Sequence, residues 1–158
     1  MATPGQKSDT AGVPLPPPLL YVAGLLAGLG LELAFPIDGP STAIRVAGAV
    51  AGIGLWLVFD GVAMRSFRAA GTSMIPFNPS TSLVTDGVYR VTRNPMYVGM
   101  ACFYIGLALA LSLIWALILL PVVILAVDRL IIAREEPYLE RLFGESYREY
   151  KRTTRRWI

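Results

Sequence analysis

The chain has 158 residues, 54% of them hydrophobic against 16% charged, with a mean hydropathy of +0.56 and a formal net charge of +3. One domain is the expectation at that length, but the composition is too apolar for an ordinary soluble fold, and the apolar residues are clumped into stretches able to cross a bilayer. Histidine is absent and Cys102 is the single cysteine, which excludes a zinc site of the usual ligands, a Ser-His or Cys-His nucleophile pair and an internal disulfide.

Residues 1–18 are rich in Pro, Gly, Ser and Thr, carry no compact basic region before an apolar core and no small-residue cleavage site. They are expected to form a disordered tail, with residues 19–158 as one membrane domain. Residues 19–35 make a first span of about 25 Å at 1.5 Å per residue, ended by Pro36 and an Asp38-Gly39-Pro40 turn. Gly24 and Gly28, four apart, let another helix approach closely. Residues 43–64 make a second span, in which Gly48 and Gly52 form another small face that could meet the first. Glu32 and Asp60 are the acidic residues of these two spans. Intramembrane carboxylates point to function by default, but both lie near a predicted helix end, where solvation or an arginine partner is the simpler account.

Residues 65–96 form a long loop with four arginines against one aspartate, punctuated by Gly71, Pro76, Pro79, Gly87 and Pro95. A structureless connection of that size is usually functional. It also carries Phe67, Met74, Ile75, Phe77, Leu83 and Val84, which predicts that it lies on the membrane surface and covers something. The apolar run 97–132 would be about 54 Å long as one helix, far beyond a bilayer core of about 30 Å. A hairpin turning near Ser112 solves this, and it keeps the basic loop and the tail 129–158, with eight basic residues against five acidic ones, on the same cytoplasmic side. The expectation is an all-α membrane protein of four spans, both termini inside, with Pro121 kinking the fourth helix.

Beyond Asp128 the charges begin. Pro137 suits the first turn of a new helix with Glu135 and Glu136 at or just before its N-terminus. Leu139, Leu142 and Phe143 then share a face, and Gly144 stops the helix. Tyr147, Tyr150 and Trp157, set among arginines, suit an interfacial segment. Basic residues that flank spans argue for membrane lipid rather than nucleic acid as the partner.

An ordered set of motifs emerges: Gly71-Thr72-Ser73, Pro76, Pro79, Gly87-Val88-Tyr89-Arg90, Arg93-Asn94-Pro95-Met96-Tyr97-Val98-Gly99, an apolar hairpin, Glu135-Glu136-Pro137-Tyr138-Leu139, Phe143-Gly144 and Tyr147-Arg148-Glu149-Tyr150. Over roughly residues 67–157 this resembles the isoprenylcysteine carboxyl methyltransferase and phospholipid methyltransferase superfamily. The resemblance implies a membrane-embedded methyltransferase that uses S-adenosylmethionine on its cytosolic side. Asn94 stands where many relatives have histidine, which leaves open the acceptor, whether prenylcysteine, phospholipid amine, quinone-like or thiol.

By resemblance and by chemistry, the cofactor's carboxylate, ammonium, ribose and adenine call for an arginine, one or two carboxylates and an aromatic slot. The candidate cofactor-binding residues are Arg93, Asn94, Pro95, Tyr97, Gly99, Glu135, Glu136 and Tyr138. Glu135 and Glu136 are also candidates to deprotonate an acceptor, and Arg141 to steer an anionic one. Two other readings are a nicotinamide-dependent membrane reductase of the sterol-reductase type and a non-catalytic scaffold that holds anionic lipid.

Overall fold

The computed structural model describes residues 10–72 and 80–158, so Ser73, Met74, Ile75, Pro76, Phe77 and Pro79 of the long loop and residues 1–9 of the tail lie outside the described residues. The elements are α1 (Pro18–Ala34), α2 (Thr42–Ala69), a 3-10 turn (Gly87–Arg90), α3 (Pro95–Ala110), α4 (Ile114–Val127), a π-helical turn (Asp128–Ile132), α5 (Ala133–Phe143) and α6 (Glu145–Thr153). Among the described residues there is no strand, only an isolated parallel bridge between Thr92 and Arg155.

The hairpin of α3 and α4 is the centre of the fold. Pro95 occupies the first turn of α3, where its missing N–H costs nothing. Leu111, Ser112 and Leu113 make the turn, with Ser112 at φ 57° and the Leu113 N–H donating to the Ala108 carbonyl at 2.8 Å. Tyr104, buried inside the hairpin, donates its hydroxyl to the Ala116 carbonyl at 2.8 Å, so α3 holds α4 through a paired polar group rather than an orphaned one.

The two N-terminal helices flank this hairpin on different sides, α1 along α4 and α2 along α3. The glycine faces expected to meet each other therefore serve other partners. A Cβ on Gly24 would stand 2.4 Å from Val123, and one on Gly28 would stand 2.5 Å from Ala116. On α2, a Cβ at Gly52 would stand 2.5 Å from the Cys102 carbonyl oxygen and 2.6 Å from Gly106. Small residues on the hairpin, Ala116 and Gly106, are what admit the close approach. Glu32 ends α1 by accepting from the Ile37 N–H at 2.8 Å and the Trp115 N–H at 3.2 Å, which ties the α1 exit to the start of α4.

Among the described residues, two helical paths are long and apolar enough to cross a membrane, Thr42–Ala69 of 28 residues and Ile114–Phe143 of 30; α1 and α3 are shorter apolar helices. The second path shows that α5 is no separate helix. Pro137 lies inside α5 instead of opening it, and Glu135 and Glu136 sit in the first turn of a segment continuous with α4. Pro137 has no N–H for the carbonyl one turn back, and the π turn just before it supplies the slack that lets the helix run on. Pro121 likewise lies inside α4.

Leu19, Leu26 and Leu33 of α1, Val50 and Leu57 of α2 and Val122 of α4 are exposed, an apolar rim suited to lipid. A second cluster of Ala63, Val84, Tyr89, Tyr147 and Tyr150, with Phe67, Leu139 and Phe143 packed on it, caps one end. Tyr147 and Tyr150 are thus buried core residues, not interfacial anchors, because α6 turns back at Gly144 (φ 56°) and packs inward. Leu139 and Phe143 face this cluster, while Leu142 is 41% exposed. Of the predicted tail, Val13 is buried and the Gly12 carbonyl accepts from Arg134 at 3.0 Å.

Candidate active site

The segment before α3 and the charged helix after α4 come together. Arg93 Nη2 donates to Glu136 Oε1 at 2.7 Å, a pair 43 residues apart in which Glu136 is only 6% exposed. Glu136 also accepts from Arg156, Nε to Oε1 at 3.0 Å and Nη2 to Oε2 at 2.5 Å. Arg156 Nη1 reaches on to Asp128 at 3.1 Å and 3.2 Å, and Asp128 Oδ1 accepts from the Trp157 indole at 3.2 Å. Asp128, Arg156, Thr92 and the C-terminal residues 154–157 are not among the site residues expected from the sequence. Only a single acid at the exit of the fourth helix hinted that it needs a cation nearby.

These C-terminal residues act as a strap across the Arg93 segment. The Arg93 N–H donates to the Arg155 carbonyl at 2.9 Å, and the Thr92 hydroxyl and Asn94 Nδ2 both donate to the Arg156 carbonyl, at 3.0 Å and 2.9 Å. Arg93 Nη1 donates to the carbonyls of Thr154 at 2.6 Å and Lys151 at 3.2 Å. Asn94 Nδ2 therefore gives one of its two N–H donors to the strap, and the Asn94 backbone N–H goes to the Thr92 hydroxyl at 3.1 Å. Arg93 Nε alone of that guanidinium is buried with no partner among the described residues.

The neighbouring carboxylate differs. Glu135 Oε1 accepts from the Tyr97 hydroxyl at 2.7 Å, and Tyr97's own carbonyl accepts from the Tyr21 hydroxyl at 2.9 Å. Burial pushes the Glu135 carboxyl up to about 6, with the Glu136 charge adding to that and the Tyr97 hydrogen bond opposing it. Burial also raises Glu136, but hydrogen bonds and charge from Arg156 and Arg93 outweigh it, and the net shift is downward. Adjacent carboxylates in one helix turn thus take opposite characters, one locked as an anion between guanidiniums and one poised to exchange a proton near neutrality.

Pro95 is buried at the start of α3, and Gly99 lies against Asp60 of α2. Tyr138 is buried, its hydroxyl accepting from the Ser80 N–H at 3.1 Å, with the Arg141 guanidinium 5.6 Å from its ring centre. Arg141 also lines, with Glu136, Glu140, Arg148, Lys151 and Arg156, an open cavity of about 450 Å³. Lys151 and Arg148 both pair with Glu140, at 3.0 Å and 3.8 Å.

Residues 43–146 match the model of a family described as phospholipid methyltransferases. A Schizosaccharomyces pombe protein named protein-S-isoprenylcysteine O-methyltransferase is 35% identical over 75 residues, 48% of this chain and 32% of that protein, so the chain spans about a third of that relative's length. A Haemophilus influenzae protein, uncharacterised by name, is 40% identical over 65 residues, 40% of this chain and 100% of that one. No solved structure matches. The family match covers more than half of the chain and includes both charged segments of the site, so this chain belongs to the phospholipid methyltransferase family of integral membrane methyltransferases.

Proposed function

We infer that this chain transfers a methyl group from S-adenosylmethionine to a lipid-like acceptor, isoprenylcysteine carboxylate-like or phospholipid-like, at the cytosolic membrane face. The observation that carries the reading is the contact of Arg93 with Glu136, which closes the hairpin into one polar site at the end of an apolar bundle. In this reading residues 19–158 act as a single domain with four spans. α1 and α3, at 17 and 16 residues, cross by local thinning of the bilayer, and the basic residues of the Arg93 loop and the tail hold both termini in the cytoplasm.

The residues present fit the cofactor. The orphaned Arg93 Nε–H is a donor for a carboxylate. Glu135, which accepts from Tyr97 alone among the described residues, has acceptor capacity left for an ammonium or ribose hydroxyls. Tyr97 and Tyr138 offer aromatic surface for the adenine and Pro95 sets the start of α3 beside Asn94, while the open side of Gly99 is taken by Asp60 of α2. When bound, the cofactor supplies an electrophilic methyl on a sulfonium. Glu136, held by Arg93 and Arg156, fixes the strap and keeps the Arg93 guanidinium aimed; Asn94 fixes the same strap from the other side. Glu135 can hold a proton near neutral pH, and Arg141 steers an anionic headgroup into the cavity it lines. Methyl transfer is an in-line displacement, so alignment and exclusion of water supply most of the rate without a nucleophilic side chain.

Isothermal titration of the protein in lipid nanodiscs with S-adenosylmethionine and with its demethylated product tests the reading. Binding of both is expected, with loss in Glu135→Gln. Binding of a nicotinamide dinucleotide instead, or of none of these, overturns it.

A further inference from the structure

Arg45 is the one basic residue of 8–64 and 94–128, and nothing in the site described above uses it. It lies in the first turn of α2, whereas Arg65 and Arg68 lie toward the other end of that helix, about 30 Å away along the axis at 1.5 Å per residue. Arg45 therefore stands at the hairpin-turn end of the bundle, away from Arg93 and Glu136. An arginine on that side runs against the charge bias of membrane proteins and calls for a reason.

Part of the reason is structural. Nε and Nη2 of Arg45 both donate to the Ala110 carbonyl, at 3.2 Å and 2.7 Å, and so satisfy a carbonyl of the last turn of α3. That contact occupies one edge of the guanidinium. The other edge, which carries Nη1, makes no hydrogen bond among the described residues, and no carboxylate answers the charge: Glu32 is spent on the Ile37 and Trp115 N–H groups, and Asp38 is exposed and forms no ion pair with Arg45. A free guanidinium edge is the fork that fits a phosphate.

That edge belongs to a cavity of about 270 Å³ lined by Thr42, Arg45, Val46, Ala49, Val50 and Ala110. Arg45 is the only charged residue in the lining, and Thr42 adds a hydroxyl. Ser41 makes no side-chain cap, so the positive end of the α2 dipole is open beside Thr42. Below the cavity, Val46, Val50, Ile53 and Leu57 follow one another at spacings of four, three and four, which puts them on one face of α2, and all four are exposed. The stripe runs about 16 Å toward the middle of the helix. One cation at the rim and an apolar stripe below it are complementary to a lipid with one negative charge and a long chain.

Resting on α2 crossing the bilayer, we propose that this cavity holds the phosphodiester of a membrane phospholipid, in the leaflet away from Arg93 and Glu136, with one acyl chain lying along Val46, Val50, Ile53 and Leu57. The charges match one to one, since a phosphodiester carries a single negative charge and the lining a single guanidinium. A free phosphate ion would leave the apolar stripe uncovered. The bound lipid meets α2 directly and α3 through the guanidinium that holds Ala110, so it braces the two helices at the end of the bundle remote from the site.

Two photoactivatable lipids test this on the full chain in dodecyl maltoside, which brings no phosphate of its own: a phosphatidylglycerol with a diazirine midway along one acyl chain, and the diacylglycerol with the same chains. The phospholipid should label residues 46–57 about tenfold more than the diacylglycerol. Arg45→Ala should lose that preference, and Arg45→Lys, which keeps the charge without the fork, should lower it by no more than about threefold. Val50→Trp fills the cavity from an exposed position and leaves the Arg45 contact with Ala110 in place; it should lower phospholipid labelling about fivefold, and it carries the test if Arg45→Ala does not fold. Equal labelling of residues 46–57 by the two lipids in the wild type overturns the proposal, as does an unchanged preference in folded Arg45→Ala or in Val50→Trp. Labelling of these residues by neither lipid fails earlier, because α2 then does not face the bilayer and the four-span reading falls with the proposal.

Discussion

Glu136 and Glu135 are neighbours in sequence and opposites in circumstance, and single substitutions should separate them. Glu136 sits between two guanidiniums, so Glu136→Gln leaves Arg93 and Arg156 short of their shared anion; breaking a buried pair of this kind costs about 3 kcal/mol. Thermal melting in nanodiscs should register that loss directly. Glu135 has a different signature because its folded pKa of about 6 lies above the ordinary 4.5. The folded state holds that proton more tightly than the unfolded one, so the stability it contributes is full below about pH 4.5 and is lost as pH rises through 6. Glu136, shifted downward, contributes stability above its unfolded value that is lost on acidification. Melting curves of Glu135→Gln should therefore lose the decline between pH 4.5 and 6, and those of Glu136→Gln should lose the fall at the acid end. A Glu135→Gln protein that keeps the mid-acid decline would mean that another group titrates there.

At the scale of helices, two glycines of α2 make a controlled comparison. Gly52 faces the Cys102 carbonyl and Gly106 with no room for a side chain, while a Cβ at Gly54 meets no other atom within 4 Å. Gly52→Val should push α2 off α3 and cost about 3 kcal/mol or more. Gly54→Ala should be neutral or stabilise by up to about 1 kcal/mol, since alanine is the better helix former. Equal effects in denaturant or thermal unfolding would mean that the α2–α3 contact is not close-packed. The hairpin itself was legible in the sequence, because the run 97–132 is too long for one span and the charges at its two ends share a sign. Which flank each outer helix takes was not legible, since a small face reads the same whatever it packs against. The continuity of α4 into α5 was hidden for a related reason: Pro137 after a pair of glutamates reads as a helix start, and a π turn that accommodates it has no sequence period of its own.

Across the whole molecule, the sequence brought Arg93 and Glu136 to one end of the bundle, but it gave no sign that the C-terminal residues close over them. The strap works through carbonyls of Thr154, Arg155 and Arg156, and backbone hydrogen bonding of a short extended segment leaves no residue pattern to read. Its removal makes the test that spans the whole fold. A chain ending at Thr153 loses Arg156 from Glu136 and Asp128 and the carbonyl acceptors of Thr92, Asn94 and most of Arg93, while the contacts of α1 with α4 and of α2 with α3 stay intact. Helical content by circular dichroism should hardly change, the melting temperature should fall by about 5–10 °C, and S-adenosylmethionine binding should weaken about tenfold or more, because an unbraced Arg93 pays rotamer entropy on binding. Arg156→Ala in the full-length chain divides the effect: it removes the guanidinium and keeps the backbone bridge to Thr92 and Arg93. If the strap braces the site chiefly through its carbonyls, Arg156→Ala binds better than the truncated chain; if Arg156 alone carries the effect, the two bind alike.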